Sequence, residues 1–236
     1  MAGTVLAAET AKFAALAERW WDPEGPMKPL HRMNPLRVGW ILDRLHRAGV
    51  AVEGLSLLDV GCGAGIAAEA FARAGARVTA IDAAAATIAA ARLHAERAGL
   101  AIDYRVAAPE ALVAEGLAFD AVAALEVVEH VADRAAFLGA LAALCRPRGM
   151  LFLSTLNRTA KSFLFAKLGA EYVLRLLPVG THDWRAFVRP EELARDLRRA
   201  GFAVVDSVGM AMDPLSGAWR QTRDLSVNYL VAARRV

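Results

Sequence analysis

Three groups of residues in this 236-residue chain could do chemistry. The first is Leu58-Asp59-Val60-Gly61-Cys62-Gly63-Ala64-Gly65, an apolar run that feeds three glycines spaced G-x-G-x-G. Glycine reaches positive φ and lets the backbone approach a ligand closely. The start of a following helix offers unpaired N–H groups to carboxylate or hydroxyl oxygens. In the dinucleotide fingerprint G-x-G-x-x-G the third glycine comes one residue later. The second group is Asp82, at the end of the next apolar run. An acid at the carboxyl edge of a parallel sheet can accept both hydroxyls of a ribose; the plainer role is a cap for the helix that follows. The third is Glu126-Val127-Val128-Glu129-His130. Two carboxylates and an imidazole in five residues could ligate a hard divalent cation or supply a general base, or form a polar turn with a structural His130.

These groups need elements to hold them. Leu57–Val60, Arg77–Ile81, Ile102–Val106, Ala121–Leu125 and Met150–Ser154 read as strands, with helices over 64–73, 83–98 and 133–144 between them. That alternation predicts an α/β, Rossmann-like fold: a seven-stranded, mostly parallel sheet with helices on both faces. After a helix over 191–199, two strands (202–208 and 227–233) follow with no helix between them, which predicts an antiparallel last strand. Residues 9–20 read as an amphipathic helix. A second helix is expected to start at Asn34-Pro35, with asparagine as cap and proline in its first turn, and to end before Gly49. The predicted organisation is an N-terminal helical, cofactor-covering segment over 1–50 and a catalytic domain over 51–236, with an insertion at 157–189.

Composition narrows the function classes. Hydrophobic residues make up 56% of the chain, enough for a core, and no stretch is apolar for long enough to span a bilayer. A net charge of +3 is too small to imply nucleic acid. Two cysteines, Cys62 and Cys145, exclude a disulfide scaffold and fit a reducing compartment. The first residues lack the basic start and apolar core of a secretory signal. The glycine loop and Asp82 together suit S-adenosylmethionine, which has no pyrophosphate: the acid suits its ribose and the loop its amino-acid end.

More specific are Trp20-Trp21-Asp22, Lys28-Pro29-Leu30-His31-Arg32, Asn34-Pro35-Leu36-Arg37, Ser154-Thr155-Leu156-Asn157-Arg158, Gly169-Ala170-Glu171-Tyr172 and Gly180-Thr181-His182-Asp183. With the glycine loop, Asp82 and Glu126-x-x-Glu129-His130, these resemble the ubiquinone biosynthesis O-methyltransferase family of class I S-adenosylmethionine-dependent methyltransferases, across nearly the whole chain. The resemblance implies methylation of ring hydroxyls on polyprenylated phenol intermediates. It implies donor contacts from Arg37, Gly61, Asp82 and Leu125, to which the glycine loop adds Gly63; Glu129 and His130 stay the candidate catalytic bases that their cluster suggests. It also implies a magnesium (Mg2+) site at Glu126, Glu129 and His130. Ala64 stands where the family often has glycine, and its methyl fits if the helix has already begun there.

A polyprenyl substrate resides in lipid. Residues 161–177 carry Lys167, Glu171 and Arg175 on one helical face and apolar residues on others. They read either as a helix packed on the domain or as a peripheral membrane contact, on the inner face of the cytoplasmic membrane. A quinone-synthesis complex is a further candidate partner; nucleic acid is not expected. Trp20, Trp21 and Trp40 could line an apolar substrate site or anchor helices. His31 and His182 could serve a substrate or a turn, and Cys62 reads as packing. His46 and His94 fall on predicted helix surfaces and are expected to face water. Two rivals stand: a nicotinamide-dependent oxidoreductase, against which the early third glycine argues, and a lipid-associated assembly component with a vestigial fold.

Overall fold

Leu57, Leu58 and Val60 are all but sealed from water. An apolar run covered on both faces belongs inside a parallel sheet, and β1 (Ser56–Val60) lies there. The computed structural model describes residues 19–163, 184–213 and 216–236. In these, β1 is followed by α2 (Ile66–Arg73), β2 (Arg77–Asp82), α3 (Ala85–Arg97), β3 (Asp103–Val106), α4 (Pro109–Ala114), β4 (Phe119–Leu125), α5 (Arg134–Leu144) and β5 (Cys145–Leu156). A long helix, α1 (Lys28–Arg47), precedes them; α6 (Pro190–Arg199), β6 (Phe202–Met212), β7 (Trp219–Thr222) and β8 (Asn228–Arg235) follow.

The sheet order is β3-β2-β1-β4-β5-β8-β6-β7. The first five strands are parallel, and β8 runs antiparallel to both neighbours. The expected mixed sheet with an antiparallel last strand is therefore present, with eight strands instead of seven. The extra strand is β7, a short, largely polar edge piece paired antiparallel to β6. Such an edge carries no run of buried apolar residues by which to recognise it.

Each face carries its own core. On one, α1, α2 and α3 cover the sheet with Trp40, Ile41, Leu45, Phe71 and Ile88. On the other, α4, α5 and α6 cover it with Leu112, Phe137, Leu138, Leu141, Leu193 and Leu197. In β4, Ala121 and Ala123 face the first core while Val122 and Ala124 face the second. Small side chains there let helices approach the sheet closely.

Boundaries differ from expectation at α1 and at β5. Helix α1 begins at Lys28, so Pro35 lies inside it, on the exposed side. Asn34 is no cap: it is buried, and its Nδ2 donates to the Ile66 carbonyl at 3.1 Å, tying α1 to the start of α2. Strand β5 starts at Cys145, and Arg146–Gly149 bulge out, with Arg148 at φ 65°, before the register resumes at Met150. The helix predicted over 9–20 lies outside the described residues except at its end, and that over 161–177 lies outside them beyond Phe163. Among the described residues no helix is long and apolar enough to cross a membrane. Phe137 is 1% exposed. Phe137→Ala should cost about 3–5 kcal/mol in urea unfolding, the usual range for emptying an aromatic core site.

Candidate functional site

The strand order reverses direction between β1 and β4, and the crevice outside their carboxyl ends is where open α/β sheets bind ligands. Each sequence group arrives there. Gly61, Gly63 and Gly65 all adopt positive φ, at 68°, 54° and 90°. Space is also short at each: an added Cβ would run into Val127 at Gly61, the Trp20 ring at Gly63 and the Tyr104 hydroxyl at Gly65. Gly65 is the residue before α2, so Ala64 is still in the loop, contrary to expectation. Its methyl is tolerated because its φ is not left-handed and it packs with Trp20, Met27 and Ile66.

Asp82 closes β2 and does two things. Its Oδ2 accepts from the Gly63 N–H at 2.9 Å, and its Oδ1 accepts from the Ala84 N–H at 2.8 Å, next to the start of α3. Thr87 Oγ1 lies 3.2 Å from Oδ1 but only 2.8 Å from the Ala84 carbonyl. A hydroxyl has one proton to give, and the shorter contact takes it. Each Asp82 oxygen then keeps a lone pair for a ligand, which is what two ribose hydroxyls need.

Arg37 reaches the crevice from α1. It is 4% exposed, its Nε has no protein partner, and burial lowers its proton affinity against the pull of Glu126 and Asp59. Asp59 is a site residue that the sequence reading passed over. It is buried within β1, its Oδ2 is unpartnered, and its pKa is pushed up to about 7 by burial, with Arg37 opposing and Asp82 reinforcing the rise. The available signal was a carboxylate set inside an apolar strand. A buried guanidinium beside a buried carboxylate with an open oxygen matches the two ends of an amino acid.

Glu126 and Glu129 stand at the end of β4. Glu126 holds a left-handed φ of 58°, a strained state for a side chain of this type. Ser154 Oγ donates to Glu126 Oε1 at 2.8 Å, and Thr155 Oγ1 donates to Glu129 Oε2 at 2.8 Å. Glu129 Oε1 is buried without a partner; burial, then the charge of Glu126, holds this carboxyl well above its ordinary range. His130 follows in a turn closed by its own N–H to the Val127 carbonyl at 2.9 Å. Among the described residues no three His, Cys, Asp or Glu side chains gather as a metal-holding group, so His130 does not complete a triad with the two glutamates. The glutamates alone are a pair of hard oxygen donors of the kind magnesium takes together with waters.

Other sequence candidates fall into place. Trp40 is a core residue, and Trp20 and Trp21 cover the glycine loop. Cys62 has its thiol pushed well above the ordinary range by desolvation and by Asp59 and Asp82, which suits packing. His182 lies outside the described residues. A cleft of about 390 Å³ opens beyond β5, lined by Asn157, Arg158, Thr159, Trp184 and Arg189 among others. Trp184 Nε1 donates to the Thr159 carbonyl at 2.9 Å, and its ring meets Phe163 edge-on at 6.1 Å.

A mostly parallel sheet with a glycine loop after β1, an acid closing β2 and an antiparallel β8 defines the methyltransferase class of α/β domains. A family profile described as "Methyltransferase domain" matches residues 31–207. Two solved structures share the fold: magnesium protoporphyrin IX methyltransferase from Synechocystis PCC 6803 with bound SAM, at TM-score 0.67 and 18% identity over 100% of both chains, and the same enzyme with bound SAH, at TM-score 0.63 and 21% identity over 84% and 82%. The chain is 51% identical to the ubiquinone biosynthesis O-methyltransferase of Cereibacter sphaeroides over 98% of its length and 97% of that protein. It is 49% identical to that of Methylocella silvestris, over 96% and 93%. It belongs to the ubiquinone biosynthesis O-methyltransferase family.

The state of Asp59 can be read from stability. With its pKa raised, the folded protein gains from the protonated acid below the ordinary carboxylate value of 3.8 and loses that gain as pH climbs through about 7. Ligand-free protein should therefore unfold more easily at pH 8 than at pH 5. Asp59→Asn should remove up to about 3 kcal/mol of that difference, the part of the shift that falls between pH 5 and pH 7, leaving the part due to Glu129. Denaturant curves at the two pH values give the slope; equal slopes in both proteins would show Asp59 ionised throughout.

Proposed function

We propose that this chain transfers the methyl group of S-adenosylmethionine to a ring hydroxyl of a polyprenylated phenol, with the donor in the crevice between β1 and β4. The observation that carries the reading is the pair of buried, unsatisfied groups at the crevice: Arg37 for the donor's carboxylate and Asp59 Oδ2 for its ammonium. Asp82 takes the ribose with its two remaining lone pairs, the backbone at Gly61 and Gly63 lies along the chain between, and Leu125 covers the adenine. The relatives that share half of this sequence are named for ubiquinone biosynthesis, which supports the phenol as acceptor.

The chemistry asked of the protein is modest. The sulfonium is already a good leaving group, so aligning it with the oxygen and excluding water supplies much of the acceleration, up to roughly 7–11 kcal/mol in favourable cases. A free phenol titrates near about 10 and must lose its proton as it attacks. Glu129 is the better base of the two candidates. Its Oε1 is buried without a protein partner, so once ionised it has a free oxygen for the phenol's proton, and burial raises its proton affinity above that of an ordinary carboxylate. His130, one residue on, is the alternative acceptor. Were a magnesium ion held by Glu126 and Glu129 instead, it would supply Lewis-acid polarisation of the ring oxygen, and His130 would be left as the base.

Two substitutions divide these roles. Asp82→Ala should weaken donor binding by calorimetry at least about tenfold, the loss of two charge-assisted hydrogen bonds; unchanged affinity would take the ribose away from Asp82. Glu129→Gln should lower kcat by about 100-fold, the low end for general-base loss, with donor affinity kept. An unaffected turnover would remove it from the mechanism.

We further place the enzyme at the inner face of the cytoplasmic membrane, touching lipid through 161–177, within reach of a prenylated substrate and of a quinone-synthesis complex. The residues 1–50 act as a cover for the donor. Full-length protein should float with liposomes of anionic lipid, and protein lacking 161–177 should stay behind; equal flotation would refute the contact.

A further inference from the structure

A line of contacts outside the donor set runs from a fully buried carboxylate to the glycine loop. Glu69, on α2, is 0% exposed and accepts from His94 Nδ1 at 2.6 Å and from Arg73 at 2.8 Å. These bonds orient the imidazole of His94, on α3, and its ring lies flat on the indole of Trp21: centroids 3.4 Å apart, planes 2° from parallel. Trp21 Nε1 then donates to the Ala64 carbonyl at 2.9 Å. His31, in the first turns of α1, meets Trp21 edge-on at 5.7 Å and bonds the Trp20 carbonyl at 2.8 Å. Trp20 itself covers Gly63. His94 is therefore no solvated surface residue, as its helix position suggested.

A simple anchor for the segment before α1 would need apolar contact alone. This arrangement also buries a carboxylate, which is costly unless its bonds are satisfied, and uses it to set one ring that sets another. The endpoint is a single carbonyl between two left-handed glycines, Gly63 and Gly65. Glycine-flanked peptides change orientation at little cost, so fixing that carbonyl fixes the loop.

We propose that Trp21 and His94, backed by Glu69, are positioning residues for donor binding. They hold the Gly61–Gly65 loop in the shape that receives the donor, and they make the seating of residues 19–27 part of the same event. The inference rests on the reading of that loop as the donor site.

The test uses the full chain, titrated calorimetrically with S-adenosylhomocysteine, and steady-state rates with varied donor. Trp21→Phe keeps an aromatic ring beside His94 and removes the N–H together with the pyrrole half of the indole. It should weaken product binding roughly tenfold, the worth of one ordinary hydrogen bond. The donor KM should rise in step, while kcat at saturating donor changes less than about twofold. His94→Ala should act in the same direction, and the double variant should fall short of the product of the two factors, because both act on one loop. Wild-type affinity in both variants, with a lowered melting temperature, would reduce the contacts to packing and overturn the proposal. Absence of binding by the wild-type protein would overturn the donor-site reading, and this inference with it.

Discussion

The arrangement depends on a guanidinium taken out of water. Arg37 is buried between the charges of Asp59 and Glu126 at the point where the sheet reverses its order. Removing such an ion from water costs several kcal/mol unless partners compensate. Compensation here is partial, since Arg37 Nε and Asp59 Oδ2 both lack protein partners. The rest of the molecule makes that incomplete balance tolerable. Helix α1 is held on the sheet by Trp40, Ile41 and Leu45 and tied to α2 by Asn34, so Arg37 cannot retreat to solvent. A site kept short of its bonds by a rigid scaffold is ready for a ligand that brings the complementary charges.

The same economy marks the glutamates. Ser154 and Thr155 are consecutive on β5 and point to opposite faces of the sheet, and each holds one of the two. The turn after β4 is thereby strapped to its neighbour on both sides, at the cost of a left-handed Glu126. Strain of this type persists where surrounding bonds over-determine it.

Much of this was legible from the residues. The alternating strands and helices, the glycine loop and Asp82 closing β2 could be read because their signals are local: buried apolar runs, glycines and a terminal acid. Asn34-Pro35 misled because a cap and a first-turn proline have the same spelling as a buried tether and a proline on a helix's wet side. Asp59 was hidden by its apolar neighbours, although a carboxylate in such a strand is itself a signal. His94 could not be read at all. Its partner Trp21 lies far away in sequence, and nothing in the helix pattern of α3 points to it. β7 escaped because an edge strand needs no apolar face.

Phe163 and Trp184 form a clamp. Both ends of the intervening stretch are fastened to one another and to the Thr159 carbonyl, directly off β5. Whatever sequence runs between them leaves and rejoins the domain at one fixed point beside β5, so a change of length there need not alter the register of the sheet beneath.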